Sequence, residues 1–221
     1  MPPMTDFVSM RRAMVDSQLR TNKVTDERLL DAMADVPRER FVPAARSGTA
    51  CIDEDIPIGG GRYLLEPMIF ARMVQAAEIG EDDVVLDVAC GTGYSSAVLG
   101  RLARAVVAVE SQPDMVATAT ENVAAAGLDN VMVENGAIAD GWAAQAPYDA
   151  ILINGAVGEV PEKILAQLAD GGRLAVVARP ENGPGTAELY IKVRGVVSKR
   201  VLFDANTPPL QEFASEEGFV F

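Results

Sequence analysis

Residues 84–94 read VVLDVACGTGY, and this stretch determines the fold that we expect for the 221-residue chain. Its first five residues are apolar except for Asp87, and such a run rich in β-branched residues predicts a parallel strand covered by helices on both faces. Ala89, Gly91 and Gly93 then permit a sharp turn and a close approach of the backbone to a ligand before a helix begins near Tyr94. A tight strand-to-helix turn without a ligand is the alternative interpretation of this loop.

A second apolar strand ends in an acid at a spacing typical of nucleotide-binding units. Residues 102–110 read LARAVVAVE and end in Glu110, which follows Asp87 by 23 residues. A carboxylate about 20 residues beyond the first strand end commonly accepts the ribose hydroxyls of a nucleotide. Asp87 interrupts a buried strand, where a carboxylate is costly unless it meets a ligand or backbone donors. A solvated strand-end glutamate is the alternative for Glu110.

The charge and the apolar pattern limit the possible partners. With 32 acids and 19 bases the formal net charge is −13, which repels phosphate backbones and anionic lipid heads, so we expect neither a nucleic-acid nor a membrane partner. No apolar run approaches the ~18 residues of a membrane span, and the N-terminus lacks the apolar core of a signal peptide, which predicts a cytoplasmic protein. Cys51 and Cys90 form no zinc spacing, so we interpret both as small buried residues and expect no metal site.

The chain contains no histidine. This excludes Ser/His/Asp triads, histidine-ligated metals and imidazole bases, and leaves carboxylates, Lys, Tyr and Cys for proton chemistry. A reaction that needs no general base therefore fits best, and the sequence assigns no catalytic residue.

The rest of the pattern predicts alternating strands and helices. Two N-terminal helices, within 7–20 and 26–36, precede the sheet; we expect Thr25 to cap the second and Pro37 to end it. Residues 41–62 predict an ordered loop with a short hairpin. Further helices are expected at 94–103 and 161–168, one beginning at Pro67, and one beginning at Pro113 with Ser111 as its cap and Asp114 completing a capping box. The other predicted strands are 105–110, 131–133, 149–153 and 173–177, with an antiparallel pair, 189–193 and 196–203, closing the sheet.

These features resemble the class I S-adenosylmethionine-dependent methyltransferases, and longer phrases narrow the resemblance to the protein-L-isoaspartate O-methyltransferase family. The phrases are VPRERFVP within residues 14–43, DEDIPIGGGR at 53–62 and GWAAQAPYDAI within 135–174, so the resemblance covers most of residues 10–178. It implies a Rossmann-like α/β fold whose mostly parallel sheet is flanked by helices. We expect a single domain with N-terminal helices and a substrate loop at 1–66, a core at 67–203 and an acidic tail at 204–221.

The resemblance also implies a reaction. The cofactor would be S-adenosylmethionine, leaving S-adenosylhomocysteine as product, and the acceptor would be the free carboxylate of isoaspartyl residues in damaged proteins or peptides. The methylated residue can cyclise and reopen as ordinary aspartate, which is protein repair. Such an acceptor is already ionised at neutral pH, so this reaction needs alignment and desolvation rather than a base.

Site residues carry over from the family by position. The substrate loop 58–62 would bind the peptide through its backbone, with Arg62 as the nearest counter-charge; a solvated loop charge is the alternative for Arg62. The candidate substrate residues are Ile58, Gly59, Arg62, Leu65 and Glu66. The candidate cofactor residues are Asp87, Ala89, Cys90, Gly91, Thr92, Gly93, Glu110, Ser111, Gly136, Ala137, Ile138 and Asn154.

Two positions depart from the family pattern. Where the family has a Thr-Ile-Ser-Gln-Pro-like segment, this chain reads YLLEP, so that Leu65 replaces a serine beside the acceptor carboxylate and Glu66 replaces a glutamine. A family Gly-Asp-Gly is replaced by Gly136, Ala137 and Ile138, a loss of one cofactor hydrogen bond and on the order of 1 kcal/mol. A second hypothesis is therefore a diverged relative that methylates another acceptor or serves as a non-catalytic binding module. A nicotinamide dehydrogenase, which shares the glycine loop and the ribose acid, is a third.

Overall fold

A sheet of seven strands lies at the centre of the computed structural model, which describes residues 6–180 and 183–213. Its order is β5-β4-β3-β6-β7-β8-β9. Strands β5, β4, β3, β6 and β7 are parallel, β8 is antiparallel to β7, and β9 is antiparallel to β8. A separate antiparallel hairpin is formed by β1 and β2. The strands are β1 (Ile56–Gly59), β2 (Arg62–Leu64), β3 (Val84–Val88), β4 (Ala105–Glu110), β5 (Val131–Asn135), β6 (Tyr148–Val157), β7 (Leu168–Ala178), β8 (Thr186–Val193) and β9 (Val196–Asp204).

Helices cover both faces of this sheet. α1 continues directly into a π-helical turn at Val15–Leu19, and short 3₁₀ turns occur at Arg38–Arg40 and Ala44–Thr49. The described part of the chain contains no helix long and apolar enough to cross a membrane. The helices are α1 (Phe7–Met14), α2 (Glu27–Asp35), α3 (Pro67–Ala76), α4 (Tyr94–Gly100), α5 (Pro113–Ala125) and α6 (Glu162–Leu165).

Strand β3 is buried on both faces, as its sequence predicts. Val85 belongs to an apolar cluster shared with α1 to α4, whereas Leu86 and Val88 belong to a second cluster that includes Ile164 of α6 and Leu210. Successive side chains of a strand point to opposite faces, so a nearly continuous apolar run fits a strand between two helical layers. The same alternation places Asp87 on the face that α4 covers.

Two predicted helix caps are wrong. α2 is capped by Asp26, whose carboxylate accepts hydrogen bonds from the backbone N–H groups of Arg28 (3.0 Å) and Leu29 (3.2 Å). Thr25 lies one residue too early to reach them, and its own N–H donates to Gln75 Oε1. At α5 the N-cap position is Gln112, which makes no side-chain cap bond. The hydroxyl of Ser111 instead meets the carboxylates of Glu110 and Glu212.

Other strands and helices begin or end at residues that differ from the expected ones. The predicted hairpin within 41–62 exists as β1 and β2, and the antiparallel pair that closes the sheet is confirmed. The helix predicted at 161–168 is reduced to α6 because Leu168 already pairs with Tyr148 at the start of β7. Gly171 and Gly172 therefore lie inside an irregular stretch of β7. The division of the chain into three parts stays a prediction.

The first part of the predicted acidic tail packs against the sheet. Ala156 N–H donates to Pro208 O (3.0 Å), and Leu210 N–H donates to Ala156 O (2.8 Å). The segment after β9 thereby runs along the carboxyl end of β6 as far as a 3₁₀ turn at Gln211–Phe213. Residues 214–221, the end of the predicted tail, lie outside the described residues.

The cap of α2 provides a test of the local structure. We expect Asp26→Ala to lower the free energy of unfolding by about 1 kcal/mol, because two helix N–H groups lose their acceptor. Thr25→Ala is the matched control and should change it by less than about 0.5 kcal/mol, since it removes an exposed side chain that caps nothing. Urea unfolding of the three proteins gives the comparison, and equal losses in both variants would contradict the assignment.

Candidate functional site

The loop between β3 and α4 makes the sharp turn that its sequence predicts. Ala89, Gly91 and Gly93 have φ values of +57°, +56° and +92°. A side chain on Gly93 would place its Cβ 3.2 Å from Cα and Cβ of Ala119 in α5, so only glycine fits there without a shift. Ala89 bears a Cβ in the left-handed region, which costs roughly 1–2 kcal/mol and is the kind of strain found at functional sites.

Asp87 is fully buried and is held by three side chains. Ser95 and Ser96 donate to its Oδ2 at 2.7 and 2.6 Å, and Asn154 Nδ2 donates to its Oδ1 at 2.7 Å. Burial raises the pKa of Asp87 to about 6, against the lowering effect of these three bonds. Two of the predicted cofactor residues, Asp87 and Asn154, therefore lie side by side, one near the end of β3 and the other within β6. They join the first turn of α4 to the sheet.

Glu110 is a fully buried carboxylate at the end of β4. Gly91 N–H donates to its Oε2 (3.1 Å), and the N–H groups of Ser111 and Gln112 donate to its Oε1 (2.8 and 3.2 Å). The predicted loop and the predicted acid are thus joined directly, although they are distant in sequence. The alternative of a solvated strand-end glutamate is wrong, because Glu110 is 0% exposed.

Arg62 occupies the remaining capacity of the Glu110 carboxylate. Its Nε donates to Oε2 (3.1 Å) and its Nη2 to Oε1 (3.0 Å), a two-pronged pairing. Arg62 also binds the carboxylate of Glu212, at 2.6 Å from Nη2 and 3.1 Å from Nη1. The alternative of a solvated loop charge is wrong, since Arg62 is 3% exposed. Its predicted role as the counter-charge of an acceptor stays a prediction, because both carboxylates that it binds in this structure belong to the chain.

The hairpin β1–β2 lies directly over the glycine loop. Ile58 Cδ1 is 2.6 Å from where a Cβ on Gly91 would stand, and Gln112 Nε2 donates to Gly60 O at 2.6 Å. Gly59 is exposed and lies near Met115 of α5. The structure therefore brings the predicted substrate loop and the predicted cofactor loop into contact.

A cavity of about 10 Å³, room for roughly one water molecule, separates the hairpin from the start of the loop. Leu65, Ala89, Cys90 and Asn154 are among its walls. Arg38 also lines it, fully buried, with Nε donating to Ala50 O (2.7 Å) and Nη2 to Leu65 O (2.6 Å). The sequence gives no signal for Arg38 beyond its place in the phrase VPRERFVP.

The predicted cofactor residues that follow β5 begin next to the backbone of Glu110 and not next to its carboxylate. Gly136 N–H donates to Glu110 O (3.0 Å), and a Cβ on Gly136 would stand 2.9 Å from the Trp142 ring. Ala137 and Trp142 line an open cavity of about 320 Å³, whereas Ile138 is fully buried. Trp142, which had no assigned role in the sequence, thus forms a wall next to the end of β5.

Glu66 lies against other acids at the start of α3. Its N–H donates to Asp55 Oδ1 (2.8 Å), and burial, together with the charges of Asp53 and Asp55, raises the pKa of Glu66 to about 7. Within residues 6–180 and 183–213, no group of three or more acidic, cysteine or histidine side chains is arranged to hold a metal ion.

The residue types around Glu110 fit a nucleotide. The glycine-containing loop and a buried carboxylate meet at the carboxyl ends of adjacent parallel strands, which is where ligands bind in wound α/β sheets. Both oxygens of Glu110 are paired with Arg62 in this structure, and the cavity between the hairpin and the loop has room for about one water.

Comparison with known proteins gives a consistent result. The sequence model described as "Protein-L-isoaspartate(D-aspartate) O-methyltransferase (PCMT)" matches residues 9–202. The chain is 39% identical to "Protein-L-isoaspartate O-methyltransferase" of Koribacter versatilis, over 95% of this chain and 94% of the relative. It is 41% identical to the protein of the same name from Methanoculleus marisnigri, over 77% of each chain.

Solved structures support the same fold. One called protein-L-isoaspartate O-methyltransferase superposes with a TM-score of 0.79 at 25% identity, over 90% of this chain and 65% of that chain, so this chain spans about two thirds of its length. A Plasmodium falciparum protein described as a putative enzyme of the same name, in complex with S-adenosyl-L-homocysteine, superposes with a TM-score of 0.77 at 19% identity, over 95% and 100% of the two chains. The latter likeness shows the fold alone.

The raised pKa of Glu66 predicts a pH-dependent loss of stability. The folded-state pKa of about 7 lies above the usual value of 4.5, so the folded state disfavours the charged form. Stability should therefore fall as pH rises from about 4.5 to 7, and the loss is complete above that range. Glu66→Gln removes it, so the variant should melt a few degrees higher than the natural chain at pH 8 and at about the same temperature at pH 4.5.

The matched control is Glu54→Gln, which neutralises an exposed acid of the same loop. Thermal melts of the three proteins across this pH range give the comparison. A Glu66→Gln advantage that is the same at both ends of the range would show that Glu66 is not strained by its charge.

Proposed function

This chain belongs to the protein-L-isoaspartate(D-aspartate) O-methyltransferase family, and on that premise we propose that it methylates the free carboxylate of isoaspartyl residues in damaged proteins or peptides. The family is one of S-adenosylmethionine-dependent methyltransferases, which removes the nicotinamide dehydrogenase from consideration. The observation that carries the proposal is the direct bond between the glycine loop and the buried carboxylate, Gly91 N–H to Glu110 Oε2.

Named residues of this chain would hold the cofactor. S-adenosylmethionine would supply a methyl group bound to a positively charged sulfur. Glu110 would accept the ribose hydroxyls, and the positive φ values of Gly91 and Gly93 would allow the backbone to come close. Ser111 and Gly136 contact Glu110. Together with Ala137 and Ile138, which follow in the chain, they would form the adenine side. Asp87 and Asn154, already bonded to each other, would shape the opposite end of the site.

The chain's own residues are suited to a reaction without a base. A carboxylate acceptor is ionised at neutral pH, so no proton has to be removed, and the chain has no histidine to remove one. Apolar side chains of Ile58 and Leu65 and the small residues Ala89 and Cys90 wall the space next to the loop. In the proposed reaction such walls would exclude water and help to hold the two reactants in line, which lowers the barrier to a displacement.

A diverged acceptor specificity is the second candidate function, and Leu65 is the observation that favours it. Leu65 is 4% exposed and lines the cavity that reaches Ala89 and Cys90, so position 65 faces the loop without offering a hydroxyl. Glu66, next to it, adds negative charge beside Asp53 and Asp55. Both features oppose the capture of an anionic acceptor.

Methyl transfer provides the direct test. With labelled S-adenosylmethionine we expect label on an isoaspartyl peptide and none on its aspartyl twin. Glu110→Gln should raise the KM for the cofactor at least about tenfold, because a carboxylate that accepts two hydroxyls is lost. Glu121→Gln, an exposed change of equal charge on α5, is the control. Transfer to neither peptide by a protein that binds the cofactor would favour another acceptor.

The acceptor side can be tested by restoring the family pattern. We expect isoaspartyl methylation by the natural chain to be weak and to rise in Leu65→Ser, Glu66→Gln, because a hydroxyl beside the reacting group in a dry site is worth roughly 10²-fold in rate. The matched control is Leu65→Ala, Glu66→Gln, which leaves the same space without the hydroxyl.

Rates at saturating cofactor distinguish the two double variants. A gain only with serine assigns the effect to the hydroxyl, whereas an equal gain in both assigns it to space and charge. Ordinary activity in the natural chain would refute the prediction.

A further inference from the structure

Two side chains from distant parts of the chain surround Glu110, the carboxylate that a ribose would need. Arg62 comes from the hairpin and pairs with both of its oxygens, and Glu212 comes from the segment after β9 and pairs with Arg62. Ser111 Oγ accepts a hydrogen bond from Arg62 Nη2 (2.9 Å) and lies 3.0 Å from Glu212 Oε1. We call Arg62 and Glu212 the latch.

We propose that the latch gates the cofactor site, so that S-adenosylmethionine gains Glu110 only by displacing Arg62. The inference rests on the proposed function, because it takes Glu110 as the ribose acceptor. In this view Arg62 is a competitor of the cofactor, and Glu212 is the residue that holds Arg62 in the competing position.

The capacity of the carboxylate supports competition. A carboxylate has two oxygens with about four lone-pair sites. Here Oε2 already accepts from Gly91 N–H and Arg62 Nε, while Oε1 accepts from Arg62 Nη2 and two backbone N–H groups. The backbone N–H groups are part of the loop, so they cannot leave the carboxylate unless the loop itself moves. The arginine side chain can leave, so a ribose diol must replace it.

The segment that carries Glu212 is tied to the sheet. Leu210 and Ala156 are joined by a backbone hydrogen bond, and the Leu210 side chain is 4% exposed and covers Gly155, whose Cβ position would lie 2.6 Å from Leu210 Cγ. Phe213 N–H donates to Leu210 O (3.1 Å), which closes the 3₁₀ turn around Glu212. These contacts hold Glu212 next to Arg62. The hydrogen bond with Arg62 lowers the pKa of this partly exposed carboxyl.

Opening the latch would also change the substrate side. Arg62 is the first residue of β2, and Ile58 of β1 lies against Gly91, so the hairpin that carries the substrate loop is held down by the same contacts. Among the described residues, this hairpin makes ion pairs only through Arg62, with Glu110 of β4 and with Glu212, and release of Arg62 breaks both. Cofactor binding would then free the hairpin to receive a peptide.

The test is calorimetry with S-adenosylhomocysteine on the full-length natural chain, Arg62→Met and Glu212→Gln. If the latch competes, Arg62→Met should bind about tenfold tighter or more, since one charge-assisted two-pronged pair no longer has to be broken. Glu212→Gln should bind tighter by a smaller factor. Arg104→Met and Glu162→Gln, exposed changes of the same kind, are the matched controls and should bind as the natural chain does.

A second readout does not need activity. Hydrogen exchange of the amides of Leu210 and Phe213 should become faster in Arg62→Met, and also in the natural chain when S-adenosylhomocysteine is added, because Glu212 loses its partner in both cases. Glu212 is 37% exposed, so its replacement leaves the core intact and keeps the test available if Arg62→Met fails to fold.

The outcomes separate the latch from the proposed function. Tighter binding in the two latch variants, or binding in them alone, supports the latch. Binding by the natural chain that is unchanged or weakened in both variants overturns the latch and leaves the proposed function standing, with Arg62 as a structural or cofactor-contacting residue. No binding in any folded protein overturns both.

Discussion

The buried pair of Arg62 and Glu110 connects parts of this molecule that are distant in sequence. It joins the hairpin to the end of β4, and through Glu212 it reaches the segment after β9. Taking two charges out of water costs several kcal/mol per ion, and the pair is tolerated because backbone N–H groups complete the bonding of the carboxylate. Loss of one partner of such a pair typically costs about 3–5 kcal/mol, so the geometry around it is strongly held.

Three buried or half-buried carboxylates meet different conditions within this region. Glu110 is neutralised by Arg62, Asp87 has only neutral donors, and Glu66 has other acids beside it. Burial raises the pKa of Asp87 to about 6 despite its three donors, and burial together with the neighbouring acids raises the pKa of Glu66 to about 7. These three carboxylates outnumber the two buried guanidinium groups of the region, those of Arg38 and Arg62. Under the proposed function, this excess of negative charge would suit a cationic sulfonium and would oppose the capture of an anionic acceptor.

Under the proposed function, the two departures from the family pattern would lie on opposite sides of the cofactor. Leu65 and Glu66 would stand on the acceptor side, and Ala137 would stand on the adenine side. The glycine loop and Glu110 are retained, and the fold matches family structures over most of the chain. If the proposed roles hold, the departures affect residues that would contact ligands and leave the fold that positions them.

The sequence by itself determined the sheet, the glycine loop, the acid at the end of β4 and the family. These features depend on local patterns: β-branched runs, glycines that permit positive φ, and a fixed spacing between strand ends. Helix caps were less well predicted, because Thr25 and Asp26 are both good caps and only the exact start of α2 decides between them. The sequence alone does not fix the first residue of a helix, so it cannot choose between two neighbouring residues that are both good caps.

Only the tertiary structure decided what each charged side chain contacts. The pairing of Arg62 with Glu110 and Glu212 joins positions 48 and 150 residues apart, and no local pattern records such a distance. The same holds for Arg38, which is buried against Ala50 O and Leu65 O, and for the packing of Leu210 on Gly155. Local sequence sets backbone preference, whereas the partner of a long side chain is set by which elements the folded chain brings together.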